Sequence, residues 1–226
     1  MKYSFKLCYE LDTTLAIAVA TYLDCEHYVY LHKGLTKKIE ILEHGDGYYK
    51  CRLLANAFGF KIGQSMTAQY VPPATFVQYD VEPYPRWLPS IHHLIGTKTT
   101  LRYFETPERN TTLSELTIEL DLPFWLYPFR QLIRRGIEKV KILKDLEDVA
   151  MIDRRAKVFG RANNTAYLNK RQFMLHKTDY LKYFGENSEF YGETSEEYKN
   201  LKWTDIKDLD LPYVRRFLAK KYFNYC

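Results

Sequence analysis

The sequence predicts an α+β fold in which a curved antiparallel sheet of about six to seven strands wraps a long C-terminal helix. Three observations predict it. Short strand-like segments follow one another from residue 37 to 121, set off by turn residues, and their alternation has the period of two that a pleated sheet requires. Prolines at 72, 73, 83, 85 and 89 exclude helix from that region. From Phe129 to Phe159 the period changes to 3.6, with Ile133, Ile137, Val140 and Met151 inside one arc. Strands followed by a closing helix suggest a sheet covered on one face, with a cavity between the two layers.

The elements follow in order. Residues 2–11 (KYSFKLCYEL) read as a strand, after which Asp12-Thr13-Thr14 offers cap chemistry for a helix running through Leu15, Ala18, Thr21 and Tyr22 toward His32. In 37–43, Ile39 and Ile41 alternate with charge. The turn His44-Gly45-Asp46-Gly47 then leads into 48–54, with Tyr49, Cys51 and Leu53 on one face. Further strands are expected at 61–71, 75–82, 94–104 and 111–121, and the long helix at 129–159. Residues 1–160 thus form the domain. Residues 161–226 form a polar, Tyr-rich C-terminal extension packed on it, with a short amphipathic helix at 212–223 opened by Pro212.

Composition narrows the function. A chain of 226 residues with 46% hydrophobic and 27% charged side chains builds a sizeable core. Aromatic residues are in excess at 16%, including 20 Tyr, and rings of that size fill a wide core or line a pocket. Cys8, Cys25, Cys51 and Cys226 are scattered with no C-x-x-C or C-x-H spacing, which excludes zinc fingers and cysteine-held iron–sulfur clusters. The first residues carry no hydrophobic signal core and no apolar run is long enough to cross a membrane, so the expected location is a reducing cytoplasm. A net charge of +5 without a nucleic-acid-binding motif gives no reason to expect a nucleic-acid partner.

One constellation carries chemistry. Asp24-Cys25-Glu26-His27-Tyr28-Val29-Tyr30-Leu31-His32 has the spacing D-x2-H-x4-H. Asp24 and His27 share a helix face. His27 and His32 lie about 140° apart, so both meet one ion only where the helix ends or loosens between them. Two histidines and a carboxylate make the facial triad that holds Fe(II) with positions open for dioxygen and substrate. The best carboxylate is Asp148, which falls within about 60° of Ile133, Ile137 and Ile152 on the final helix; Glu147 is held in reserve.

These residues, together with the strand-rich stretch between them, resemble the catalytic domain of Rieske-type non-haem iron oxygenases. The resemblance implies the helix-grip fold shared with START and Bet v 1-like proteins. It also implies that His27, His32 and Asp148 ligate a mononuclear Fe(II), with Asp24 linking a ligand histidine to the incoming electrons. The family's iron–sulfur domain has no counterpart here, so the electrons would come from a separate Rieske or ferredoxin-type protein. The substrate class is an apolar, aromatic or polycyclic small molecule, with Tyr79, Trp87 and Trp125 on the pocket wall. Two rival readings stay open: a START-like carrier of a hydrophobic ligand without catalysis, and a non-catalytic oxygenase subunit. Homo-oligomerisation is left open as well. His92-His93 would point to opposite faces of a strand, and Arg130, Arg134, Arg135, Lys139 and Lys141 read as a solvated basic stripe able to meet an acidic electron donor.

Overall fold

The computed structural model describes residues 1–23, 36–57, 59–106 and 111–159. The motif from Asp24 to His32 and the extension after 160 lie outside them. Seven strands form one antiparallel sheet: β1 (Lys2–Leu11), β2 (Lys38–Gly45), β3 (Tyr48–Ala57), β4 (Phe60–Val71), β5 (Thr75–Tyr84), β6 (Gly96–Thr106) and β7 (Thr111–Asp121), in the spatial order β1-β7-β6-β5-β4-β3-β2. Helix α1 (Leu15–Leu23) follows β1, and helix α2 (Arg130–Phe159) follows β7. The expected α+β class and every expected strand are present.

Six strands form a meander of sequential neighbours, and β1 joins it last in space by pairing with β7, from Lys2 opposite Asp121 to Leu11 opposite Thr112. That register puts Phe5, Leu7 and Leu11 on the same concave face as Leu116, Ile118 and Leu120 of β7, where they meet Leu101 and Tyr103 of β6 and Phe76 of β5. Alternation of apolar and polar residues is thus satisfied across four strands by one buried face. Tyr49, Cys51 and Leu53 of β3, with Met66 and Ala68 of β4, form a second cluster.

α1 is buried on nearly every side, because Ala16, Ala18 and Ala20 are small enough to let its backbone approach the sheet and α2 while Ile17, Val19 and Leu23 fill the space between. Its first carbonyl partner is Thr14, whose oxygen accepts from Ala18 N at 3.2 Å, in keeping with the expected cap. The inward positions of α2 are Ile133, Ile137, Lys141, Ile142, Asp145, Asp148 and Ile152, rotated from the arc expected from the sequence. Val140 is correspondingly exposed, and Lys141 leaves the solvated basic stripe for the interior side.

One other expectation is corrected. Ser90 Oγ accepts from His92 N at 3.3 Å and caps a 3-10 turn over Ile91–His93, so the two histidines precede β6, which starts at Gly96. Cys8 is disulfide-bonded, with its partner outside the described residues. Cys51 is free and buried, its thiol pushed up to about 12 by burial.

At Gly63 of β4 an added Cβ would lie 1.8 Å from the Leu53 carbonyl oxygen of β3. The obstacle is backbone and cannot rotate away. Gly63→Ala is therefore expected to cost about 3 kcal/mol, the upper end for overpacking, and urea unfolding of the purified variant measures it.

Candidate functional site

The concave face carries a wall of rings. Tyr70 of β4 stacks on Phe76 at 4.8 Å between centroids, and Tyr22 of α1 lies 5.5 Å from Phe76 and 5.7 Å from Tyr103, the latter edge-on. Tilted and edge-to-face pairs of this kind suit the aromatic quadrupole. Tyr70 is anchored from behind, donating its hydroxyl hydrogen to Pro73 O at 2.7 Å.

Against this wall α2 presents charge. Asp145 and Asp148 are 4% and 5% exposed, one turn apart on the inward stripe. Lys141 Nζ lies 3.1 Å from Asp145 Oδ1, and the Tyr22 hydroxyl donates to Asp148 Oδ2 at 3.2 Å. Tyr9 of β1 faces Asp145, and Tyr103 of β6 borders both carboxylates. Five elements thus converge on one buried patch of three phenols, two carboxylates and an ammonium, with Ser114 of β7 beside Tyr9.

Burial sets the protonation of the patch. It raises the Asp145 carboxyl above its ordinary range, only partly offset by the Lys141 charge. Burial pulls the Lys141 ammonium down, but the charges of Asp145 and Asp148 outweigh it and leave it raised. Tyr9, Tyr22 and Tyr103 are all pushed well above the usual phenol value, first by burial and then by the facing carboxylates. At neutral pH the three phenols are therefore neutral hydrogen-bond donors.

A polar groove of about 760 Å³ opens elsewhere, where β5 and β6 part. Their pairing runs only from Thr75 opposite Arg102 to Gln78 opposite Thr99. Beyond it β5 is unpaired with β6 and bulges against β4, Asp80 and Val81 lying opposite Met66 alone, and Asp80 adopts φ 52°. Tyr79, His92, Lys98, Glu119 and Asp121 line the opening. The His92 Nδ1 is buried without a hydrogen-bond partner, and burial lowers that imidazole's pKa.

Of the residues singled out in the sequence, Asp148 is buried on the inward face and Tyr79 lines the groove. Trp87 and Trp125 stand outside the ring wall, 73% and 49% exposed. Asp24, His27 and His32 lie outside the described residues, and among those described no three His, Cys, Asp or Glu side chains are grouped to hold a metal. Lys141 and Asp145 were missed. Continuing the i, i+4 stripe from Ile137 finds both.

No family model matches the chain, and no curated protein matches it. Its likeness is to solved structures. An aromatase/cyclase from a Streptomyces species matches with a TM-score of 0.52 at 15% identity over 72% of this chain and 100% of that one. The di-domain aromatase/cyclase StfQ of the steffimycin biosynthetic pathway matches with a TM-score of 0.53 at 10% identity, over 70% of this chain and 53% of that one. At such identities the likeness shows the fold, which is helix-grip, as expected.

Two outcomes test the patch. The three phenols and the Lys141 ammonium hold their protons more tightly folded than unfolded, so the stability they contribute is present below an unfolded value of about 10 and is lost as pH climbs past it. The melting temperature is expected to fall above that pH, and less steeply in a Tyr9→Phe, Tyr22→Phe, Tyr103→Phe variant. Separately, Asp145→Ala strands the Lys141 ammonium and is expected to cost about 3 kcal/mol, whereas Lys141→Met with Asp145→Leu restores most of it; chemical denaturation of the three proteins reads both.

Proposed function

We propose that the chain is a helix-grip receptor for a ring-containing, largely apolar small molecule, held against the aromatic wall and oriented by the buried phenols and carboxylates. The observation that carries this reading is the patch of Tyr9, Tyr22, Tyr103, Lys141, Asp145 and Asp148. Stability alone would be served as well or better by apolar side chains there, since the desolvation of buried ions consumes most of what their pairing returns. Charge kept in that position on an inward helix face is the mark of a functional site. Two of the similar folds are aromatase/cyclases, which supports the ring-containing class.

In this reading the rings supply apolar area and the neutral phenols donate to a carbonyl or hydroxyl of the ligand. The Asp145–Lys141 pair, poised beside Tyr9, offers a place to give or take a proton, so an acid–base step on the ligand falls within reach of the same residues.

A second reading keeps an iron centre of His27, His32 and Asp148 with Asp24 beside it, fed by a separate iron–sulfur protein. Its support among the described residues is the burial of Asp148 on the inward face. Asp148 would then be an oxygen ligand with Tyr22 hydrogen-bonded to it, and the metal would supply dioxygen chemistry. Iron content after anaerobic reconstitution, compared between the wild type and His27→Ala, tests it.

The receptor reading is tested with 1-hydroxypyrene and pyrene as fluorescent probes. The hydroxylated probe is expected to bind more tightly by about fivefold, the worth of one neutral hydrogen bond, and Tyr103→Phe or Tyr22→Phe to erase that preference while pyrene affinity holds. Failure of both probes to bind, or a preference untouched by both substitutions, rejects it.

A further inference from the structure

The strand ends sort the exposed rings. β1 starts, β5 ends, β6 starts and β7 ends at one end of the sheet, because Lys2 and Gly96 both pair with Asp121 and Tyr84 of β5 pairs with Gly63 near the start of β4. The β3–β4 turn, the β5–β6 loop and the β7–α2 connection therefore emerge side by side. Among the described residues, thirteen large hydrophobic side chains are exposed, and the only ones away from this end are Leu42, Val71, Phe104 and Val140. The rest include Phe60 at 65%, Trp87 at 73%, Ile91 at 52%, Phe124 at 79%, Trp125 at 49% and Phe129 at 57%.

Scattered exposed apolar residues are ordinary, but a group gathered on one end from three separate connections is not. Proline shapes two of these connections, at 83, 85 and 89 and at 123 and 128, which favours irregular backbone able to hold rings outward. Base surrounds them. Lys37, Lys61 and Arg135 are exposed at the same end, and Arg130 lies over the Tyr127 ring at 4.8 Å. Two of the acids there are already engaged, Glu82 by Arg86 at 2.9 Å and Glu119 by Lys98 at 3.5 Å.

We infer that this end docks on an anionic lipid surface, the aromatic tips entering the headgroup boundary and the bases meeting phosphate and carboxylate headgroups. Tryptophan and phenylalanine flanked by Arg and Lys are the side chains that partition to that boundary. No described helix is long and apolar enough to cross a bilayer, so the contact is peripheral. The groove between β5 and β6 opens at this end too. Docking would therefore bring its charged lining against the headgroups.

The test uses the full chain and sedimentation with vesicles of phosphatidylcholine alone or with about one third phosphatidylserine. Binding to the anionic vesicles is expected, with a blue shift of tryptophan emission. At least a tenfold loss is expected in Phe124→Ser with Trp125→Ser, and separately in Trp87→Ser with Leu132→Ser. These side chains are exposed, so melting of both variants should match the wild type. Arg130→Glu with Arg135→Glu should remove the preference for phosphatidylserine. Absence of vesicle binding, binding untouched by both apolar variants, or a concentration-dependent dimer that those variants abolish without any vesicle binding, would overturn the inference. Binding of hydroxypyrene in vesicle-free solution reads the receptor role independently.

Discussion

A helix that closes a concave sheet has to bury one stripe along its length, and here three of the seven inward positions are Lys141, Asp145 and Asp148. Their desolvation would undo the packing of α2 if the sheet did not answer them. The rest of the interior is arranged around that demand. Tyr9, Tyr22 and Tyr103 arrive from β1, α1 and β6 to meet the carboxylates, which fixes how α1 sits between the sheet and α2. α1 can occupy that place only because its backbone comes close, and its three alanines allow the approach. Ile133 and Ile137 toward one end of the stripe and Ile152 toward the other supply the apolar contacts that hold the helix in register.

The split of the interior into ring wall and charged helix also separates two tasks. Rings on β4, β5 and β6 offer area and shape, with the Tyr103 phenol turned to the carboxylates, while the helix offers direction, since donors and acceptors there have fixed positions. The polar groove where β5 and β6 part is a third, distinct environment, lined by both signs of charge and by an imidazole. The bulge in β5 and the left-handed backbone at Asp80 lie where β5 parts from β6.

Much of the fold was legible because period carries it. Each strand from β1 to β7 alternates over at least part of its length, and the change to a period of 3.6 after Pro128 marks α2. What was not legible turned on rotation and pairing. The arc chosen for α2 leaned on Val140, whereas burial follows Lys141 and Asp145, because partners on other strands can outweigh hydropathy and those partners are invisible along one chain. Asp148 was found since it lies near Ile152 on the wheel. Trp87 and Trp125 were misplaced for a different reason. Large rings are usually buried, and nothing local says that a proline-rich connection will hold them outward. The histidine motif at Asp24 to His32 lies outside the described residues, so the site it suggests rests on spacing alone.

The pairing of β1 with β7 has a consequence for synthesis. Every other strand finds its partner in the next segment of chain, but β1 waits for one about 110 residues away, roughly 5–20 s at ordinary rates of translation. During that wait the first strand and the largely apolar α1 have emerged with no sheet to cover them. The nascent chain is thus at its most vulnerable early, and a chaperone that shelters the first two dozen residues would matter more to its yield than one that acts on the finished domain.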